Sequence, residues 1–281
     1  MSRGMVNRVY EEKPPPPELS GVVRCVWRTD ATGGRAILPD GCLDLILTPD
    51  TVFVAGADTV AYRPSGPRRP GPVHGVRFHP GAAPAVLGTP ADRITDLRPD
   101  LEALWGVPGR DVTERLLAGE TGPLDVVRAR LRPGLDVDVR RLAAALESGA
   151  PVPDSDLGPR QLRRRFTAAV GYGPARFRRV ARLQRFLRLA EPGRYGLAEL
   201  AFRAGYADQA HLTRECRVLT GQTPRVLLAD RFVQSGVPGG RLTCPDDRRP
   251  TRGGRPARTR IHHRQRPHPR TATRTGVVRR R

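Results

Sequence analysis

Two short stretches in the first half of the chain carry side chains suited to holding a small charged ligand: Ile37-Leu-Pro-Asp-Gly-Cys-Leu-Asp44 and Gly75-Val-Arg-Phe-His-Pro-Gly81. Asp40, Asp44, Arg77 and His79 gathered into one pocket would supply charged recognition groups, with Trp27 as an apolar wall. The same residues admit a purely structural role, in which Asp40 closes a hairpin turn, Asp44 pairs with Arg77 and His79 precedes a loop. Catalysis asks for more, a nucleophile with its base or three metal ligands, and no Ser/His/Asp set, His-x-His or Gly-x-Ser-x-Gly pattern occurs. The chain therefore reads as a non-enzyme without cofactor or metal. Cys42 is a poor nucleophile because the carboxylates of Asp40 and Asp44 would raise its pKa. The four cysteines, Cys25, Cys42, Cys216 and Cys244, form no Cys-x-x-Cys pair, so neither zinc nor disulfides are expected in a reducing compartment.

A second group of residues points to different chemistry. Shifting the sequence by 50 residues lays Leu162-Arg-Arg-Arg-Phe166 on Leu212-Thr-Arg-Glu-Cys216, Gly171 on Gly221 and Pro174 on Pro224, so two similar helical units follow one another. In the second unit Leu212, Cys216 and Leu219 keep the spacing of a buried helical stripe. The opposite face carries Ala210, Thr213, Arg214 and Arg217, with Gln209 and His211 at its edge. In the first unit the same projection buries Leu162, Phe166 and Ala169 and exposes Arg160, Arg163, Arg164 and Thr167. Guanidinium groups on such faces suit guanine edges or phosphates of double-stranded DNA, two alternatives that sequence does not separate.

The elements that must present these faces are also legible. Leu197-Ala-Glu-Leu-Ala-Phe-Arg-Ala204 reads as a short helix ended by Gly205, followed by a helix from about Asp208 to Leu219. Small Ala201 lets two helices approach, and Gly205 accepts the positive φ of a helix-turn-helix. Between the units Phe177 to Ala190 reads as a helix that buries Phe177, Val180, Ala181, Leu187 and Ala190 and leaves Arg178, Arg182 and Arg185 toward solvent. Its length of about 20 Å would hold two recognition helices roughly 34 Å apart on one face of DNA. In the first half, Val22 to Trp27, Leu43 to Leu47, Val52 to Ala55 and Val73 to Phe78 read as strands punctuated by turns, an antiparallel sandwich or small barrel. Helical patterns follow at Leu101 to Trp105, Val112 to Ala118, Leu124 to Leu131 and Val137 to Glu147.

Charge is distributed unevenly along the 281 residues, whose 49 basic and 28 acidic side chains give a net charge of +21. Residues 1–150 hold 19 of each sign, residues 151–232 hold 16 basic and 7 acidic, and residues 233–281 hold 14 basic and 2 acidic. A neutral front and a basic back assign polyanion binding to the back alone. The last segment, rich in Arg, Pro and Gly, has too little apolar content to fold and reads as a disordered tail. It would attract nucleic acid weakly and without sequence preference. No apolar run reaches the length of a membrane span and the first residues lack the core of a secretion signal, which points to a cytoplasmic protein with no membrane partner.

These stretches resemble the AraC family of bacterial transcription regulators. The resemblance rests on Leu162-Arg-Arg-Arg-Phe166, Gly171-Tyr-Gly-Pro174, Leu197-Ala-Glu-Leu-Ala201, Gly205-Tyr-Ala-Asp-Gln-Ala-His-Leu-Thr-Arg214 and Gly221-Gln-Thr-Pro224, and covers about residues 137 to 230. The front half resembles the β-rich domain that precedes some such regulators. What the resemblance implies is an α+β chain in three parts: a β-rich effector or dimerisation domain with trailing helices over 1–135, an all-α tandem helix-turn-helix domain over 136–232, and the tail over 233–281. It further implies seven helices in the DNA-binding part, two of them entering successive major grooves. Base-reading places fall at Ala210, Thr213 and Arg214 and at Arg160, Arg163 and Arg164. RNA polymerase as a partner, activation of transcription, a small-molecule effector and a homodimer follow from the same resemblance. The chain departs from the pattern at Pro151-Val-Pro-Asp-Ser-Asp-Leu-Gly-Pro159, which is short and rich in helix-breaking proline, so specificity is expected to rest mainly on the second motif. Ala207 stands where the family has a Ser or Thr cap, leaving Asp208 to cap the recognition helix. The alternative reading is a nonspecific or architectural nucleic-acid binder driven by the tail.

Overall fold

The structure, a computed structural model, describes residues 10–30, 36–64, 70–191 and 194–234, with the side chains of 231–234 excepted. The tail expected over 233–281 therefore lies almost wholly outside the described residues. Short runs rich in β-branched and aromatic residues, with an exposed polar edge strand ahead of them, build five strands: β1 (Tyr10–Lys13), β2 (Val23–Thr29), β3 (Asp44–Leu47), β4 (Val52–Ala55) and β5 (Val73–Phe78). They form one antiparallel sheet in the order β1-β2-β5-β3-β4. The two-residue period sends Leu45, Val52, Val54, Val76 and Phe78 into the main core. On the other face Cys25, Trp27, Ile46 and Val73 form a smaller apolar cluster. There the register sets Asp44 directly across from Arg77 and Trp27 across from Gly75. A side chain at Gly75 would overlap the Trp27 indole.

Ten helices follow among the described residues. The first four support the sheet: α1 (Pro84–Leu87), α2 (Leu101–Trp105), α3 (Val107–Leu117) and α4 (Pro123–Arg130). The α2 helix starts at Asp100, whose carboxylate accepts the Ala103 N–H at 2.7 Å. The helical back half comprises α5 (Val137–Ser148), α6 (Pro159–Val170), α7 (Pro174–Leu189), α8 (Leu197–Ala204), α9 (Gln209–Thr220) and α10 (Pro224–Gln234). The α6 and α9 helices start and end 50 residues apart, and each is followed by a turn and a helix that opens on proline, as the repeat requires. Proline suits that first helical position because its missing N–H would have no partner there.

The seventh helix implied for the back half is absent among the described residues. Residues 149–158, between α5 and α6, are irregular. Pro151 and Pro153 remove two backbone donors inside the span where that helix would have to run.

One apolar core runs without interruption from the sheet into the helical layer. At the seam the Phe177 ring, almost wholly buried, packs on Gly41, where φ of +82° and the absence of Cβ are both required. Polar contacts flank it. Gln184 Nε2 donates to the Pro39 carbonyl at 2.8 Å, Thr95 Oγ1 donates to the Gly171 carbonyl at 2.8 Å, and the Ala61 N–H donates to the Leu219 carbonyl at 2.7 Å. The end of α6 thus meets a side chain of the front half, and the end of α9 its backbone.

Candidate nucleic-acid interface

The turn between α8 and α9 is built from local chemistry. Ala201 and Ala204 are fully buried and let α9 approach α8. Gly205 takes φ of +89°, ending α8 with its N–H on the Ala201 and Phe202 carbonyls. Asp208 caps α9 through the His211 N–H at 2.6 Å. His211 closes the turn from the other side, its Nδ1 accepting the Ala207 N–H at 3.3 Å and its ring meeting Tyr206 edge-on. With Nδ1 used as acceptor, Nε2–H is the donor that the ring has left to offer.

On α9, Leu212, Cys216 and Leu219 are buried. Gln209, Ala210, Arg214 and Arg217 are exposed, and Thr213 is half-exposed with its hydroxyl on the Gln209 carbonyl. On α6, Phe166 and Val170 are buried, Arg160, Arg163 and Arg164 are exposed, and Thr167 is half-exposed with its hydroxyl on the Arg163 carbonyl. Leu162 and Ala169 are only partly covered. Among the described residues no carboxylate pairs with Arg160, Arg163, Arg164, Arg214 or Arg217.

Arginines on the adjoining surfaces are paired instead. Glu215, 8% exposed, accepts Arg179 Nε at 2.6 Å and Arg182 Nη2 at 3.0 Å, clamping α9 to α7. Arg165, at the position equivalent to Glu215 in the repeat, binds Asp136 at 2.6 Å, and Asp136 also caps α5 through the Val139 N–H. These pairs fix how the two arginine-bearing helices sit on their neighbours. They escaped the sequence reading, although a lone carboxylate beside the Leu212/Cys216/Leu219 stripe was a signal. The expectation that Arg182 and Arg185 point to solvent is corrected: Arg182 meets Glu215, and Arg185 donates to the carbonyls of Leu146, Glu147 and Ala204 at 2.9–3.1 Å. Those carbonyls end α5 and α8, where a cation offsets the helix dipole. Arg178 is exposed.

In the front half Arg77 receives Asp44 in a two-bond fork, Nε to Oδ1 at 3.0 Å and Nη2 to Oδ2 at 2.9 Å, with Asp40 at 3.4 Å and Glu12 at 3.6 Å. Burial opposes the Arg77 charge, but Asp44 and Asp40 outweigh it and hold its pKa above the ordinary value. Burial pushes the Asp44 carboxyl up, against the pull of Arg77 and of the Trp27 indole N–H, which donates to Asp44 Oδ2 at 3.1 Å. Asp40 Oδ1 accepts the Cys42 N–H at 2.9 Å, closing the turn at Gly41. Burial and Asp40 raise the Cys42 thiol well above its ordinary value, so it stays protonated.

Asp40 and Arg77 line a cleft of about 390 Å³ between the sheet and α7. Glu12, Arg24 and Cys25 share the sheet side, and Glu147, Gln184 and Arg188 come from the helical side. Asp44 and Trp27 sit behind Arg77, while His79 lies off the cleft near Arg24 and Arg140, its pKa lowered by burial and by those cations. Arg24 bridges the halves through Glu147 at 2.8 Å. No group of three metal-ligating side chains occurs among the described residues, and no described helix is long and apolar enough to cross a membrane.

Residues 155–230 match the family model of a helix-turn-helix domain, and residues 11–100 match that of a domain of unknown function, DUF6597. Among solved structures the chain is similar to ToxT from Vibrio cholerae O395, with 11% identity over 75% of this chain and 97% of that one and a TM-score of 0.38. It is also similar to the apo form of a lysine-to-alanine variant of ToxT from Vibrio cholerae strain SCE256, with 9% identity over 80% and 97% and a TM-score of 0.35. No curated protein matches the chain.

Proposed function

We propose that this chain, whose residues 155–230 match a helix-turn-helix domain, is a DNA-binding transcription regulator of the AraC type in which α6 and α9 read two successive major grooves of a specific operator. The observation that carries the reading is the sorting of arginines. On α6 and α9 the guanidinium groups of the outward faces lack carboxylate partners among the described residues, whereas Arg165 on the inner side of α6 is committed to Asp136, and the neighbouring Arg179 and Arg182 of α7 to Glu215 on the inner side of α9. A solvated decorative surface has no reason to sort its charges by face, and a phosphate-facing surface does. Arg214, with Ala210 and Thr213, reads bases in the second motif, Arg160, Arg163 and Arg164 serve the first, and Thr167, Gln209, His211 and Arg217 flank them.

The division follows the neutral and basic halves: residues 1–135 sense an effector or pair subunits, and 136–232 bind DNA. The protein works in the cytoplasm, binds a small effector in the front half near Asp40 and Arg77, and acts on RNA polymerase as an activator. It has no catalytic role.

Selection of bound DNA from a random library tests the central claim. The expected outcome is a bipartite motif with centres about one helical turn, roughly 10 bp, apart, the stronger half belonging to α9. A flat profile, or selectivity at moderate salt that vanishes when residues 236–281 are removed, refutes it in favour of charge-driven, nonspecific binding.

A further inference from the structure

The cleft between the sheet and α7 has a charge arrangement that specifies its occupant. On the sheet side three carboxyl groups, Glu12, Asp40 and Asp44, converge on the single guanidinium of Arg77 at 2.9–3.6 Å, leaving negative charge in excess. Across the cleft Arg188 is exposed and has no ion pair among the described residues, and Gln184, held by its bond to Pro39, keeps its Oε1 acceptor uncommitted there. Glu147 is already engaged by Arg24. Six of the nine lining side chains carry formal charge, which excludes an apolar guest because burying those groups against hydrocarbon would cost too much. The volume suits a small molecule.

We infer that this cleft binds a small zwitterion of the amino-acid class, its ammonium group toward Glu12 and Asp40 and its carboxylate on Arg188. Arg188 offers the planar fork that pairs with a carboxylate through two bonds, and the acidic wall accepts the ammonium hydrogens. The cleft joins strands to α7, the helix that packs against α9 and clamps it through Glu215. A bound zwitterion therefore ties the sheet to the helix that positions the second reading head. This regulatory consequence rests on the proposed DNA reading, whereas the binding itself does not.

The test uses the full chain, titrated calorimetrically and by thermal unfolding with the common amino acids and with 6-aminohexanoate, hexanoate and hexylamine. At least one zwitterion is expected to bind saturably and raise the melting temperature. Its affinity should fall about tenfold in Arg188→Gln and in Glu12→Gln, both surface changes that leave the fold intact, as the loss of one charge-assisted contact predicts. Hexanoate and hexylamine, each with one of the two charges, should bind at least as weakly as the zwitterion binds to those variants. The inference is overturned if no zwitterion binds, if a singly charged analogue binds equally well, or if Arg188→Gln changes nothing. Selection of DNA by the unliganded protein, run in parallel, fails or succeeds independently and reports on the reading heads alone.

Discussion

Glu215→Gln isolates the clamp that holds α9 on α7. The substitution keeps the shape of the side chain and removes its charge, leaving Arg179 and Arg182 facing an amide. Breaking a buried ion pair typically costs about 3–5 kcal/mol. Here the Arg179 side chain keeps 32% of its surface in water, against 19% for Arg182 and 10% for Glu215. The exposed partner recovers part of its solvation, and the amide oxygen still accepts one bond, which lowers the expected cost to about 2 kcal/mol. For a folded part of this size that is a drop of roughly 4–8 °C in melting temperature. Calorimetry measures the drop, and fluorescence anisotropy on the selected operator measures the functional side. The half of the operator read by α9 should lose discrimination while the half read by α6 keeps it. Replacing all three residues by apolar ones of similar volume should restore stability, since a fully packed apolar contact can match a buried charge network. A melting temperature within about 1 °C of the parent refutes the energetic argument. A lowered melting temperature with unchanged discrimination refutes the positioning argument.

Other perturbations probe separate parts of the molecule. Gly41→Ala forces a left-handed residue to carry a Cβ 2.5 Å from the Phe177 ring, and should destabilise by roughly 2–4 kcal/mol in chemical denaturation; an unchanged midpoint would mean that the ring is not seated there. Arg214→Ala should weaken operator binding by about 1–3 kcal/mol and relax one base position, whereas an equal loss on all sequences would assign it to phosphate. Burial, with Arg24 and Arg140, lowers the His79 pKa below its ordinary 6.5. The unfolded chain therefore takes up the proton first, and stability present above pH 6.5 is lost as pH falls through the folded value. His79→Gln should flatten part of that loss in denaturation measured from pH 7 downward, leaving the contribution of His74, whose pKa is lowered likewise; an unaltered slope would contradict it.

Local rules made much of this molecule legible. Sliding the chain on itself located α6 and α9 because each helix buries a stripe whose spacing is fixed by the 3.6-residue turn. The end of α8 at Gly205 and the cap at Asp208 follow from backbone preferences that act over a few residues. The β1 strand escaped notice because Tyr10-Glu-Glu-Lys13 is exposed throughout and is set by pairing with Val26–Thr29. The helical wall of the cleft was equally hidden, since Gln184 reaches Pro39 across 145 positions and Glu147 reaches Arg24 across 123. Arg182 and Arg185 were misplaced for a related reason. A helical wheel assigns arginine outward, and only the arrival of Glu215 and of two helix ends turns those side chains in.

The irregular segment ahead of α6 has a consequence for any attempt to study the molecule in pieces. Both helices touch the front half at their ends, but α9 also has α8 as its companion across a tight turn, whereas α6 leans on Thr95 and the short turn at 91–93. Severing the chain near residue 136 would remove that borrowed brace and leave the first head unsteady while the second survived. On the proposed DNA reading, a fragment so prepared would recognise half a sentence of DNA, and its deficit would be mistaken for a property of the intact chain.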